Sequence, residues 1–451
     1  MFAAAAALCV ALVGCAGVPV VNDTPGAAPP KIVGASGPLT AAQSKALFAK
    51  IGPAAQDALQ RHLAVEQAVA ETPLVAGNRT RILRDGGETF PAMFDAIRGA
   101  RHHINLEYFI FQDVESEGER LSDLLLAKCA EGVAVNIIYD SFGSSATPRE
   151  FFDRLKQAGA QVVQFNPLNP LDGAPDGYRP NDRDHRKILI VDGSTAIIGG
   201  VNLSTAYQSV PGKSGAAADQ ANVPWRDTDL EIVGPAVAQL QRLFLIHWRQ
   251  QKGPTLRAAD FFPEIPPAGK EVVRIIGSAP EDLAFRYYVT VLSAIRAAET
   301  RIWLSAGYFV PTHQAEEDLV DAARRGIDVR LLLPDESDSQ LALAVQHSRY
   351  EDLLEAGVKI YEVRHEVLHS KTIAIDGVWS VIGSSNFDHR SVLFNDEVDA
   401  VVVGRDTAAA LERMFRSDVA QARAIELSTW RDRPLADKVT DYLARIWESL
   451  L

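Results

Sequence analysis

The sequence predicts an α/β protein of two pseudo-symmetric lobes, each a mixed β-sheet flanked by helices, with the functional site at the lobe interface. Three observations predict it. First, Asp184-His185-Arg186-Lys187-Ile188-Leu189-Ile190-Val191-Asp192-Gly193 recurs as Leu368-His369-Ser370-Lys371-Thr372-Ile373-Ala374-Ile375-Asp376-Gly377, and the offset of 184 also relates Gly199 to Gly383 and Asn202 to Asn386. Second, apolar strand-like runs alternate with helical runs in both halves, the pattern of helices covering a sheet. Third, 451 residues with 47% hydrophobic content are enough for more than one core.

In chain order, the first feature is an apolar run from Phe2 to Val13, too short to cross a bilayer, which takes about 20 residues. It reads as the apolar part of a secretory signal. It ends in Leu12-Val13-Gly14-Cys15, which resembles the bacterial lipoprotein cleavage box, and a Pro/Ala/Gly-rich stretch follows to about Gly37. The resemblance implies a lipid anchor at Cys15. With Ala16 rather than aspartate next, it implies the bacterial cell envelope, on the periplasmic side of the outer membrane. An ordinary signal peptide and a secreted or periplasmic protein are the alternative. Cleavage at Cys15 leaves Cys129 as the single thiol, in a Leu-rich helical pattern where it reads as a small core residue. No disulfide framework or zinc spacing is present.

Residues 38–73 read as an N-terminal helical segment, 74–252 as the first lobe, 253–271 as a Pro/Ala-rich linker and 272–451 as the second lobe. Within each lobe a helical run ends in Ala-Ile-Arg. A strand follows, Ile104 to Ile110 and Ile302 to Val310, in which Tyr108 is matched with Tyr308. Next comes a helix, and after Gly132 or Gly326 another apolar strand. The repeated motif then forms a hairpin. Asp-Gly is the strongest short hairpin signal, a two-residue turn. Counting back from Asp192-Gly193 places Lys187 opposite Ile198 and His185 opposite Gly200. The second copy places His369 opposite Ser384. Because i and i+2 share a strand face, each hairpin presents His, Lys and Asn together. The small residue opposite each histidine leaves space for a substrate.

These residue types suit a phosphodiester. Lysine and the asparagine amide donate to non-bridging phosphate oxygens where charge builds up. One histidine can attack phosphorus and a second can protonate the leaving oxygen. Two lysines and two amides carry the electrostatic load, so no metal or other cofactor is required. One His-x-Lys means little. Two copies with matching Asp and Asn at one offset mean much more.

His-x-Lys-x4-Asp followed by Gly-x-x-Asn, twice over, resembles the phospholipase D superfamily signature, and the similarity covers about residues 74–451. The flanks resemble cardiolipin synthases and their bacterial relatives: Leu106-Glu-Tyr-Phe-Ile-Phe, Trp225-Arg226-Asp227 with Gly234-Pro-Ala-Val, Tyr308-Phe-Val-Pro311, and Asn386-Phe-Asp-His-Arg390-Ser391 leading to Asn395-Asp396-Glu397-Val398. The resemblance implies two phospholipase D-like lobes and transfer of a phosphatidyl group between phosphatidylglycerol or related lipids and an alcohol. It implies His185, Lys187, Asp192, His369, Lys371 and Asp376 as catalytic residues, with His185 as nucleophile and His369 as general acid and then base. Asn202 and Asn386 are the phosphate-binding amides. Two departures bear on lipid choice. The chain shows no counterpart of the two N-terminal membrane helices common in the family, and Ser305-Ala306-Gly307-Tyr308 lacks the usual proline before the tyrosine.

Anchored on the later glycines Gly234 and Gly404, Asp227 and Glu397 both stand seven residues earlier. They read as the carboxylates that orient the two imidazoles. Asp192 and Asp376 sit at turns, where turn chemistry alone favours aspartate. Trp225, Trp248 and Tyr308 either line a lipid cleft or belong to the core. Tyr207 to Pro224 reads as a mobile loop over the site.

The expected activity is phosphatidyl transfer of the cardiolipin synthase kind through a phosphohistidine. The alternatives are a phospholipase D-type phosphodiester hydrolase and a non-catalytic lipid-binding relative. The expected partners are a phospholipid substrate and a membrane surface. Nucleic acid is not expected, since 45 Lys and Arg against 58 Asp and Glu give a net charge of −13.

Overall fold

The computed structural model describes residues 20–21, 30–35, 37–51, 56–70, 72–169, 178–208, 223–256 and 261–451. Cys15 with the signal, and most of the loop expected between Tyr207 and Pro224, lie outside the described residues. No helix among the described residues is long and apolar enough to cross a membrane.

Seven principal strands build each lobe. The first has β1 (Leu74–Arg84), β2 (His103–Tyr108), β3 (Ala134–Asp140), β4 (Gln161–Phe165), β5 (Lys187–Val191), β6 (Thr195–Gly199) and β7 (Thr228–Val233). The second has β8 (Glu271–Ser278), β9 (Arg301–Ala306), β10 (Asp328–Pro334), β11 (Lys359–Val363), β12 (Lys371–Ile375), β13 (Trp379–Gly383) and β14 (Asn395–Val403). The lateral orders correspond: 4-3-2-5-6-7-1 and 11-10-9-12-13-14-8. β2, β3 and β4 run parallel, as do β9, β10 and β11. The first half of β1 pairs with β8 and its second half with β7, so one strand joins the two sheets.

The helices are α1 (Ala41–Ile51), α2 (Gln56–Val69), α3 (Asp85–Gly99), α4 (Leu121–Ala130), α5 (Arg149–Gln157), α6 (Val237–Gln250), α7 (Arg286–Ala297), α8 (His313–Arg324), α9 (Gln340–Ser348), α10 (Arg405–Val419) and α11 (Leu435–Ala444), with several shorter turns between them. The strands carrying the motif, Lys-Ile-Leu-Ile-Val and Lys-Thr-Ile-Ala-Ile, are buried on both faces, as their nearly unbroken apolar runs require. In β5, Leu189 and Val191 face the first lobe's own core while Ile188 and Ile190 enter a cluster shared with Ile275, Ile382, Val398 and Val402 of the second lobe. That shared cluster holds the lobes against each other. The segment 38–73 docks α2 on the second lobe, where His62 Nδ1 meets Ser293 Oγ at 3.1 Å and Glu66 meets Arg274 at 2.8 Å.

The hairpin register differs from expectation by one residue. The Asp-Gly turn forms: Asp192 and Gly193 both have positive φ, 50° and 61°, and Ser194 N–H donates to Val191 O. Ser194 then stays out of the ladder, so Val191 pairs with Thr195 and Ile188 with Ile198. The second hairpin does the same, pairing Ile375 with Trp379. Lys187 and Lys371 consequently align with Gly199 and Gly383. These glycines open no room for substrate: a Cβ at Gly199 would stand 2.3 Å from Asp229 Oδ1 and one at Gly383 2.0 Å from Asp399 Oδ1, and at Gly200, expected opposite His185, a Cβ would stand 2.0 Å from Asp227 Oδ1. Carboxylates fill the spaces.

The match of Tyr108 with Tyr308 also shifts. Lys187 pairs with Tyr108 and Lys371 with Ala306, so Tyr108 corresponds to Ala306 and Ile110 to Tyr308. Phe109 corresponds to Gly307, whose missing side chain lets the His369 backbone approach; a Cβ there would lie 2.7 Å from its Cα.

Candidate active site

Each histidine stands at the start of its motif strand and is fixed by the opposite lobe. Arg183–Asp184 runs parallel to Asn395–Asp396, and His185 N–H donates to Asp396 O at 2.9 Å. Trp225–Arg226 runs parallel to Val367–Leu368, and His369 N–H donates to Arg226 O at 2.8 Å. The next residue on each partner strand is the orienting carboxylate. Glu397 therefore accepts from His185 Nδ1 at 3.0 Å, and Asp227 accepts from His369 Nδ1 at 2.7 Å. The pairing crosses between the lobes. A carboxylate on Nδ1 makes that nitrogen the N–H and leaves the Nε2 lone pair free. The rings lie 6.5 Å apart between centroids at 75°, a gap that one phosphoryl group can span in near-attack contact with both.

Burial drives the charge states. It lowers the His185 pKa to about 4, with Lys187 adding to the shift and Glu397 only partly opposing it. His369 is lowered too, by burial and then by Lys371. Burial thus favours the neutral form of both imidazoles, which suits His185 as nucleophile and His369 as the base of the second step. Burial disfavours the Glu397 carboxylate, but His185, Lys187 and the Ser384 hydroxyl outweigh it and hold the pKa at about 2. Asp227 is likewise held down by Lys371 and His369 against burial. Burial lowers Lys187 to about 7 and Lys371 to about 8. Each ammonium donates to the carbonyl of its own histidine and keeps two donors for an anion.

Asn386 lines a cavity of about 470 Å³ together with His185 and Tyr308, and its buried Oδ1 has no protein partner. Asn202 is held inside: its Oδ1 accepts from Ile110 N–H at 3.1 Å and its side chain hydrogen-bonds the Tyr207 hydroxyl. Trp248 is core, whereas the Trp225 and Tyr308 rings lie 5.1 and 6.0 Å from His369.

Asp192 and Asp376, expected among the catalytic residues, stand outside this cluster. Each lies five residues along a strand from its lysine, about 16 Å. Asp192 accepts backbone N–H groups of Arg101, His102 and His103 at 2.8–2.9 Å. Asp376 accepts those of Glu299, Thr300 and Arg301 at 2.7–2.9 Å. Their carboxylates tie the hairpin turn to the start of the neighbouring strand, and their oxygens are spent on backbone donors.

Several contributors were not anticipated. Tyr207 hydroxyl lies 3.2 Å from His369 Nδ1 and 3.3 Å from Asp227 Oδ2, in a stretch that read as loop. Ser384 and Asn395 donate to the two Glu397 oxygens at 2.5 and 3.0 Å. Asp229 and Asp399 stand behind the orienting carboxylates; burial raises the pKa of both, that of Asp399 to about 8. The spacing already related them, since Asp227 to Glu397 and Asp229 to Asp399 are both 170 residues apart. Arg186 crosses the lobe boundary, meeting Glu107 at 3.2 Å, Asp396 at 3.0 Å and the carbonyls of Ser278 and Glu397. Among the described residues, Glu107, Asp184 and His247 have metal-ligand spacing, but Arg186 and His247 already pair with Glu107 there.

Paired His-x-Lys clusters, each histidine oriented from the opposite lobe, define a phospholipase D-type phosphoryl-transfer site. The family described as cardiolipin synthase, phospholipase D-like domain, matches residues 93–212 and 291–419. The chain belongs to that family of phosphatidyltransferases. It is 34% identical over 395 residues to a cardiolipin synthase of Geobacillus sp. (strain WCH70), covering 86% of this chain and 76% of the relative. It is 36% identical over 357 residues to cardiolipin synthase A of Pseudomonas syringae pv. syringae (strain B728a), covering 79% and 71%. The fold is shared with the crystal structure of phosphatidylserine synthase from Haemophilus influenzae Rd KW20, at a TM-score of 0.63 and 11% identity, over 87% of this chain and all of that one.

Proposed function

We propose that this chain forms cardiolipin by moving the phosphatidyl group of phosphatidylglycerol, or a related phospholipid, to the hydroxyl of a second lipid. The carrying observation is the pair of imidazoles 6.5 Å apart, each with Nδ1 on a carboxylate of the other lobe. His185 Nε2 attacks phosphorus. The P–O bond to the departing glycerol breaks as His369, which takes up a proton at Nε2 when the phosphodiester anion binds beside it, gives that proton to the leaving oxygen. An acceptor hydroxyl then loses its proton to His369 and attacks phosphorus, and the P–N bond breaks. Lys187, Lys371 and Asn386 receive the charge that develops on the non-bridging oxygens.

The test is full-length protein with phosphatidylglycerol vesicles in chelator, read by mass spectrometry. Cardiolipin that disappears in His185→Ala is the expected result. Phosphatidic acid alone would make the protein a hydrolase, and no lipid product would remove the assignment. The Leu12-Val13-Gly14-Cys15 box supports a further part of this reading, a lipoprotein on the periplasmic side of the outer membrane. Mass spectrometry of the cell-derived N-terminus should find lipidated Cys15; an unmodified N-terminus after a different cleavage site would overturn it.

A further inference from the structure

The last helix of the chain is inside out. On α11 and the 3₁₀ turn Arg445–Leu450 that follows, polar groups face the protein: Asp441 is buried against Arg433 at 2.9 Å, and Glu448 pairs with buried Arg349. The apolar side chains face solvent. Leu435 is 76% exposed, Ile446 71% and Tyr442 68%, with Val439, Leu443 and Trp447 beside them. At about 100° per residue Leu435, Val439, Tyr442 and Leu443 fall on one face of α11, and Ile446 and Trp447 of the 3₁₀ turn extend the exposed apolar surface. A surface helix of a globular protein shows the reverse arrangement, and a contiguous apolar patch of this kind marks an interaction surface.

Its position says what it meets. Ala444, on the inner side, packs with Val310 and Ala342. Those two residues line the cavity that holds His185. Leu451 lines the same cavity and accepts Arg390 N–H at 2.8 Å. Phe142, another lining residue, is 59% exposed at the rim. The helix that carries the apolar face thus packs on the wall of the cavity that holds His185, and the chain after it enters the lining at Leu451.

We infer that the face from Leu435 to Trp447 seats the protein on a phospholipid bilayer and aligns the cavity mouth with the lipid surface. This rests on the phosphatidyl-transfer reading. A diacyl lipid keeps its tails in the bilayer while its phosphate is cut, so the surface beside the mouth must itself be in contact with lipid. Charge plays a small part. Between Leu435 and Trp447 stand Asp437, Lys438, Asp441 and Arg445, which balance. Docking is therefore apolar, and it persists at about 1 M salt, where charge interactions are screened within about 3 Å.

The test compares full-length protein with the variant Leu443→Glu/Ile446→Glu by hydrogen exchange and kinetics. With phosphatidylglycerol vesicles, backbone amides of 435–447 should gain protection in high salt. The variant should lose that protection and act on vesicles about tenfold more slowly, with turnover of a soluble short-chain phosphodiester within about twofold. Unchanged exchange in 435–447 while vesicles are being turned over would overturn the inference and leave the transfer reading standing. Protection with vesicles but no cardiolipin would fail the transfer reading alone. Protection that rises with protein concentration and needs no vesicles would assign the face to a second copy of the chain and overturn the inference. Equal loss on soluble and vesicle substrates would show a folding defect of the double variant; Tyr442→Ser, on the same face, then decides by the same vesicle-to-soluble ratio.

Discussion

At the residue scale the site depends on which nitrogen of each imidazole carries the proton. Asp227→Asn or Glu397→Gln keeps the shape but lets the amide NH2 face Nδ1, which favours the wrong tautomer. Turnover should fall by on the order of 10³ or more in either variant with little change in substrate KM; a loss confined to KM would contradict the orienting role. The two histidines should separate by leaving group. With a nitrophenyl ester, whose leaving group needs no proton, His369→Ala should still form a covalent phosphohistidine detectable by intact mass, and His185→Ala should not. The opposite pattern would exchange their roles. The pH dependence has a worked sign. Lys187 and Lys371 are cationic below about 7 and 8, and the general acid needs its proton. His185 is neutral above about 4. Activity should therefore be highest on the acid side of neutrality and decline above about pH 8, as a property of the coupled cluster. A profile still rising at pH 9 would remove the cationic lysines from the mechanism.

At the element scale the repeated aspartates serve the hairpins. Asp192 takes three backbone N–H groups at the start of β2, and Asp376 does the same for β9. Asp192→Ala should cost about 1–3 kcal/mol in denaturant unfolding, because three amides lose a charged acceptor. Its kcat at a temperature well below the melting transition should stay close to that of the parent chain; a specific loss of kcat would return Asp192 to the chemistry. Spacing located these turns, their φ values followed from Asp-Gly, and only the extra residue after each turn was not visible. A one-residue insertion in a ladder leaves no mark on composition or periodicity; it arises where the turn must meet a neighbouring strand.

At the scale of the whole molecule, neither lobe holds a complete site. His185 has its carboxylate on the second lobe and His369 on the first. Arg186 carries much of the junction with Glu107 on one side and Asp396 on the other. Arg186→Ala should lower stability by about 3–5 kcal/mol, since it leaves buried carboxylates unpaired, and urea unfolding measures it. A shift under 1 kcal/mol would show that the apolar cluster alone joins the lobes. Residues 74–252 expressed alone should show no turnover even if folded.

The duplication, the alternation of strands and helices, and the motif residues were legible because a repeat at one offset and a strand's two-residue period are properties of the chain itself. The equal spacing of Asp227 and Glu397 from the corresponding glycines Gly234 and Gly404 marked them as a pair in the same way. What only the tertiary structure decided is who faces whom. Each carboxylate serves the histidine of the other lobe, Tyr207 reaches His369 from a segment that read as loop, and the glycines beside the motif yield their space to carboxylates. The contacts of the two histidines join residues 142 or more apart along the chain through two short parallel strand pairings. Sequence spacing carries no information about which lobe will supply the partner strand, whereas packing of the two sheets against one shared apolar core leaves a single arrangement.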